Sequence, residues 1–291
     1  MTEAKATGLP VDLAAVLARG FMPRASGDPK GRPLTMKKIQ NIYKVVSNEK
    51  LCPQFYRLCL DAPRLAKAIQ PGQFIHIKVS AGLEPFFRRP FSVYRAKKYV
   101  EIFYEAIGPG TKILASKKRG DWLDVLGPLG TPFMLPPADT KQAVMIAGGI
   151  GIAPFLILSD ILKNRKYDLL LLYGGRTKGH VYPMKEFKQN GCRVFVATDD
   201  GSVGVKGRVS ELFSKIEFNP KTTFLYTCGP HAMMRAVQDF AQKNQLRGQA
   251  SCEEVMACGL GACLGCSIQT TLGYKTVCYD GPVFDLKEVM L

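Results

Sequence analysis

The sequence predicts a β plus α/β chain in three folded parts: an antiparallel β-barrel, a doubly wound parallel α/β domain, and a small cysteine-rich subdomain. Three observations predict it. From Lys37 to about Pro137, short alternating or β-branched runs recur between turn residues, the pattern of a small antiparallel barrel. After Pro136-Pro137 the period switches to strand–helix repeats, as a parallel sheet covered on both faces requires. Residues 249–291 then hold five of the nine cysteines and no long periodic segment. The expected divisions are an extension over 1–36, the barrel over 37–138, the α/β domain over 139–248 and the cysteine unit over 249–291.

Residues 1–36 join a short apolar patch, Val11–Leu17, to the Gly, Pro and Arg-rich stretch Arg24–Pro33. They are expected to form a mobile extension, with Met36 as a candidate natural start. The barrel strands are expected at Ile39–Val46, Phe55–Leu60, Gln73–Val79, Phe91–Arg95, Val100–Ile107 and Trp122–Leu126. One helix, Gly110–Lys118, opens behind Gly108-Pro109. In the α/β part the expected pairs are strand Ala143–Ala147 with helix Ala153–Asn164, and strand Leu169–Tyr173 with helix Pro183–Gln189. Strand Val194–Thr198 with helix Val209–Lys215, and strand Thr223–Cys228 with helix Ala232–Asn244, complete the set. A run such as Leu169–Tyr173 is apolar on both faces, as a buried parallel strand must be. The last 40 or so residues are too few to fold on a hydrophobic core alone, so something must staple them.

Composition removes several classes. With 46% apolar and 22% charged residues, the chain is globular rather than collagenous or disordered. No run approaches the roughly 18 apolar residues of a membrane-spanning helix, and no secretory leader is evident. A cytoplasmic setting and no membrane partner are therefore expected, and clustered cysteines in a reducing compartment point to metal ligation rather than cross-links. The net charge of +16 lies outside the cysteine segment, where two lysines face five acids. Most of that surplus reads as solvated surface, with attraction of phosphorylated ligands as its functional reading. His76, His180 and His231 are the only histidines, and neither a nucleophile elbow nor a P-loop lysine motif occurs, so hydrolase and kinase chemistry lose their residues.

Four motifs carry chemistry. Gly148-Gly149-Ile-Gly151-Ile-Ala-Pro154 follows an apolar strand and opens a helix, where glycines admit a pyrophosphate to the N–H groups of the helix entry. Proline stands where other dinucleotide fingerprints have Gly or Ala. Arg88-Arg89-Pro90-Phe91-Ser92 places two cations and a hydroxyl on a strand, and Gly110-Thr111 begins a helix shortly after; together these could hold one dinucleotide diphosphate. Cys228-Gly229-Pro230 ends the fourth parallel strand, beside the glycine turn, because open α/β sheets bind ligands at the carboxyl ends of their strands. Finally, Cys258, Cys263, Cys266 and Cys278 have the x4–x2 spacing with a later fourth thiol that suits a plant-type [2Fe–2S] cluster. A four-thiolate zinc site is the rival reading, though it would be expected to bring paired C-x2-C knuckles, and only one is present.

In that order, Arg89-Pro-Phe-Ser92, Gly110-Thr111, Gly149–Pro154 and Cys228-Gly-Pro230 resemble the ferredoxin–NADP reductase superfamily. The cysteine unit followed by Asp280-Gly-Pro-Val-Phe284 resembles the dihydroorotate dehydrogenase electron transfer subunit family, and the resemblance covers about residues 37–291. It implies an FAD-binding barrel, an NAD-binding α/β domain and a [2Fe–2S] subdomain. It implies that NADH gives hydride to FAD and that electrons pass through the cluster to FMN in a separate catalytic subunit, in a heterotetramer of two copies each. It carries the FAD site onto Arg89, Pro90, Phe91, Ser92, Phe103, Tyr104, Glu105, Gly110 and Thr111, and the cluster onto the four cysteines. No protein acid or base is needed as a catalytic residue. NADP-using relatives grip the 2′-phosphate with a Ser-Arg pair where this chain has Asp199-Asp200, so NADH is expected, with Asp200 toward the ribose.

Two alternatives stay open at this stage. The small flavin and iron–sulfur subunits of NAD(P)H–ferredoxin or sulfide-type oxidoreductases share the barrel, the glycine turn and a similar C-terminal segment; some have aspartate as first cluster ligand, whereas this chain has Cys258. A basic zinc-ribbon protein that binds nucleic acid without catalysis is the reading from another class. The acidic cysteine segment and the two dinucleotide-type cradles argue against it, so no nucleic-acid partner is expected.

Overall fold

The computed structural model describes residues 38–182 and 184–291, which belong to one compact unit, and the expected extension over 1–36 lies outside them. Six antiparallel strands close a barrel in the order β1-β2-β5-β4-β3-β6. They are β1 (Ile39–Lys50), β2 (Phe55–Asp61), β3 (Phe74–Lys78), β4 (Arg89–Ala96), β5 (Val100–Glu105) and β6 (Trp122–Leu129). Alternation drives the closure: Val45, Leu58, Leu60, Ile75, Ile77, Val93, Ile102 and Val125 meet inside with at most 1% exposure. A helix absent from the sequence reading, α1 (Pro63–Ala68), plugs one end with Leu65 and Ala66. The expected Gly110–Lys118 helix is α2 (Pro109–Ala115).

The second layer system is a seven-stranded sheet, β10-β9-β8-β7-β11-β12-β15. Its central strands are β7 (Gln142–Gly148), β8 (Asp168–Gly175), β9 (Arg193–Thr198) and β11 (Thr223–Cys228), all parallel. Successive residues of β7 feed opposite faces, Val144 and Ile146 into one core and Ala143, Met145 and Ala147 into the other. That explains the continuous apolar runs. The chain steps from β7 outward through β8 and β9, then returns to place β11 on the other side of β7, so the strand order reverses between β7 and β11.

Several elements differ from expectation. The helix expected over 153–164 is a 3₁₀ turn, Gly149–Ile152, then α3 (Phe155–Leu162), then a second 3₁₀ turn ending at Lys166 with φ of 59°. The expected helix Val209–Lys215 is 3₁₀ throughout, α4 is Lys185–Gln189, and α5 is His231–Lys243. The strands β10 (Val205–Lys206), β12 (Arg247–Ser251) and β15 (Val283–Asp285) were not expected, and neither was the hairpin β13 (Ser267–Thr270) with β14 (Gly273–Thr276).

β12 runs across residue 249, where the last division was drawn, and β15 brings the end of the chain back onto the same sheet. Cys266, Val277, Cys278, Phe284 and Leu286 pack with sheet residues Leu225 and Ala250 in one core. Part of the staple demanded of the C-terminal unit is therefore this shared core.

Candidate functional site

The reversal of strand order opens a crevice at the carboxyl ends of β7 and β11, and the barrel closes its other side. The result is a cavity of about 720 Å³, a size that suits a large cofactor. Three sets of residues line it. The barrel gives Pro90, Phe91 and Ser92 of β4, Phe103, Tyr104 and Glu105 of β5, and Thr111 of α2. The sheet gives Gly148, Gly149, Gly151 and Cys228, Gly229, Pro230. The C-terminal segment adds Cys252, Glu253, Glu254 and Met256.

The glycine turn is built by backbone packing. A Cβ on Gly151 would stand 2.3 Å from the Cys228 carbonyl oxygen, so the two sheet turns lie directly against one another. Tyr173, fully buried, sets its hydroxyl 3.0 Å from the carbonyls of Gly149 and Tyr182 and 3.2 Å from that of His180, tying the turn to the neighbouring loop.

On the barrel side the two adjacent arginines part company. Arg88 pairs with Asp124 and donates to its carbonyl at 2.9 Å, so it belongs to the barrel wall. Arg89 donates to the carbonyls of Phe87 (2.7 Å) and Arg88 (3.3 Å), has no carboxylate partner among the described residues, and lies over Gly110 at the entry of α2. A Cβ on Gly110 would meet its Nε at 3.0 Å. The Thr111 hydroxyl accepts the N–H groups of Ile107 (3.0 Å) and Gly108 (3.1 Å), closing that entry. Tyr104 donates to Asn48 at 3.1 Å, and Phe103 stacks on Phe55 with centroids 5.3 Å apart, so the aromatic wall is fixed.

Arg89, Gly110, Pro154 and Asp200 do not themselves line the cavity. Pro154 is buried beneath the turn. Asp200 is turned outward, where its carboxylate accepts the N–H (2.9 Å) and hydroxyl (2.7 Å) of Ser202, bonds that hold it below the usual carboxylate range. Its neighbour Asp199 lines the cavity instead, together with Arg176, and with His180 and Arg208, which the sequence reading did not place there.

At the far end the cysteines form two neighbouring pairs. Cys258 and Cys263 hydrogen-bond through their side chains, as do Cys266 and Cys278, and Gly261 N–H reaches Cys278 Sγ at 3.1 Å. Two thiols for each of two irons is the donor set of a [2Fe–2S] cluster. Burial raises the Cys258 thiol, but N–H groups of Leu260 (3.3 Å), Cys263 (3.5 Å) and Ala262, with the Cys263 side chain, outweigh it and bring it down to about 6. Donors aimed at a sulfur that becomes anionic fit thiolate ligation. Burial, then the adjacent Cys266, pushes Cys278 up to about 12, so Cys278 is thiol until a cation displaces its proton. Among the described residues no helix is long and apolar enough to cross a membrane.

Comparison with known proteins supplies the rest. The family described as the iron–sulfur cluster binding domain of dihydroorotate dehydrogenase B matches residues 253–290, and the oxidoreductase NAD-binding domain matches residues 145–239. The chain is 37% identical over 254 residues to the dihydroorotate dehydrogenase B (NAD(+)) electron transfer subunit of Desulforamulus reducens, covering 85% of this chain and 97% of that protein. It is 38% identical over 267 residues to the subunit of the same description from Bacillus cereus (strain B4264), covering 88% and 100%. Among solved structures it resembles an NADH-dependent reduced ferredoxin–NADP oxidoreductase (TM-score 0.74, 28% identity, 85% and 89% covered). It shares its fold with a ferredoxin NADP+ reductase from Neisseria gonorrhoeae bearing FAD and NADP (TM-score 0.58, 23% identity, 70% and 91% covered).

Proposed function

Because the chain belongs to the family of dihydroorotate dehydrogenase B electron transfer subunits, we propose that the cavity between barrel and sheet is where NADH meets FAD, and that its cysteine end delivers electrons to an FMN-bearing catalytic subunit. It is an oxidoreductase subunit with FAD, a [2Fe–2S] cluster and NAD(H) as its redox partners. When bound, FAD supplies the exchange between a two-electron donor and one-electron carriers, which the cluster passes on. The observation that carries the reading is that barrel strands, both sheet turns and the Cys252–Met256 segment line one cavity of about 720 Å³.

Each part of the chain has a task in that reading. Phe91, Ser92, Phe103 and Tyr104 give the flavin a fixed wall, and Arg89 with the α2 entry faces its diphosphate. Gly148, Gly149 and Gly151 admit the NADH pyrophosphate to backbone N–H groups, while Cys228, Gly229 and Pro230 shape the nicotinamide end. Asp199, seconded by Asp200, meets the ribose. Cys263 is exposed, with Val255 (85% exposed) and Leu264 (62%) nearby in sequence, an exit surface suited to the partner. A heterotetramer of two copies of each subunit in the cytoplasm completes the proposal. NADH-linked orotate turnover by the co-purified complex, with its molar mass, tests it. A cofactor-loaded complex without orotate or dihydroorotate turnover would sink the pyrimidine assignment.

Two substitutions probe the binding roles. Arg89→Ala is expected to weaken FAD at least about tenfold, since a hydrogen bond to a charged group contributes ~1.5–3 kcal/mol. The FAD-to-protein ratio after gel filtration reads it, and full retention would remove Arg89 from the site. Changing Asp199→Ser together with Asp200→Arg is expected to raise kcat/KM for NADPH about tenfold, ~1.4 kcal/mol, by replacing repulsion of a phosphate with attraction. An unchanged NADPH-to-NADH ratio would mean that the ribose end lies elsewhere.

A further inference from the structure

We propose that His76 is a positioning residue for the cluster: a ring N–H donates a hydrogen bond to anionic sulfur of the group held by Cys258, Cys263, Cys266 and Cys278, and raises its reduction potential. The inference rests on the [2Fe–2S] reading of those thiols.

Strand alternation sets the direction of the ring. Ile75 and Ile77 point into the barrel, so Phe74 and His76 point the other way, and Phe74 joins the core that contains Cys266 and Cys278. The Phe74 and His76 rings meet edge-on with centroids 6.4 Å apart. His76 is 0% exposed, and neither ring nitrogen has a hydrogen-bond partner. What lies over it is the cysteine loop. A Cβ on Gly259 would stand 2.5 Å from Nδ1, and Gly259 itself has φ of +68°, so the residue following Cys258 must be glycine for this approach. Across the ladder His76 pairs with Pro90, which lines the cavity. The ring therefore stands between the strand assigned to the flavin and the loop assigned to the cluster.

Burial first, then the charges of Arg88 and Arg89, lower the imidazole to about 4, so it is neutral at ordinary pH. A neutral imidazole has one N–H in either tautomer, and a buried N–H without an acceptor bears an uncompensated desolvation penalty. Protein atoms supply none here. The thiol loop closing over the ring holds the anionic acceptor of the assembled protein. An N–H directed at cluster sulfur favours the reduced, more negative state and so raises the potential, as other donors to sulfur do.

The test uses the anaerobically purified complex with 15N-labelled histidine, of which the chain has three. Pulsed EPR of the reduced cluster should show a 15N coupling that vanishes in His76→Leu. In that variant the oxidised-to-reduced ratio of the cluster at a fixed poise should rise about tenfold, equivalent to about 59 mV for one electron. His76→Gln, which keeps an N–H donor, should recover most of the shift. Iron and sulfide are measured throughout. A loaded cluster without the coupling, a coupling that persists in His76→Leu, or an unmoved potential overturns the role of His76. A wild-type complex without iron and sulfide removes the cluster reading with it. Should His76→Leu fail to fold, the coupling in labelled wild-type protein decides alone.

Discussion

Cys263→Ser is expected to leave NADH bleaching of the bound flavin intact while cutting electron delivery to the catalytic subunit at least about 100-fold, since loss of an outer partner of a metal site alone costs 10–100-fold. The reason is spatial separation of two functions in one chain. The cavity proposed for NADH and FAD is walled by β4, β5 and the two sheet turns, and Cys263 is not among its lining residues. Its side chain is exposed, so serine creates no void and strands no buried polar group. What changes is ligand chemistry: a hard hydroxyl replaces a soft thiolate in one of the two pairs. The pair partner, Cys258, is brought to about 6 partly by the Cys263 side chain and its N–H, so the substitution also weakens the donor set that favours thiolate at Cys258. Stopped-flow bleaching near 450 nm and orotate-coupled turnover read the two halves separately. Equal rates in both assays for variant and wild type would take the cluster off the route.

Most of the architecture was legible because it rests on period. The strands of the barrel and the central sheet alternate or run apolar over five or more residues, and their cores depend on that pattern. What escaped was held by contacts that leave no period. β12 reads Arg247-Gly-Gln-Ala-Ser, small and polar, yet Gly248 packs on the Leu225 backbone and Gln249 accepts the Met134 N–H at 3.0 Å. Apolar spacing also cannot separate a 3₁₀ turn from an α-helix over seven residues, as at Val209–Lys215. In the site, motif residues of the glycine turn and Cys228–Pro230 reach the cavity as expected, whereas Asp199 rather than Asp200 does, because a turn can present either neighbour inward. Arg208 sits among many cations in a chain of net +16, and only tertiary packing selects it. His76 read as one polar residue on a strand. Its meaning comes from a loop more than 180 residues later in the chain, folded onto it by the return of β15 to the sheet.

Gly151→Ala should have the second large effect, on NADH rather than on the cluster. A methyl there would stand 2.3 Å from the Cys228 oxygen, 2.6 Å from its carbonyl carbon and 2.7 Å from the Gly229 nitrogen. All three are backbone atoms, which cannot rotate aside as a side chain would. The two turns must separate, at a cost of about 1–3 kcal/mol for an overpacked site. Both turns line the cavity proposed for the dinucleotide, so their separation would also misplace the N–H groups assigned to the pyrophosphate, and a displacement near 1 Å costs roughly 100-fold in rate. The expected result is a fall of about that size in kcat/KM for NADH, with FAD, iron and sulfide content preserved because the added methyl would meet the Cys228–Gly229 backbone rather than the barrel or the cysteine loop. Gly149→Ala is the internal comparison: its φ is +53° but nothing lies within 4 Å of the added methyl, so only the left-handed backbone penalty of roughly 1–2 kcal/mol applies. A Gly151→Ala protein that reduces its flavin with NADH as fast as wild type would mean that dinucleotide does not seat on this turn.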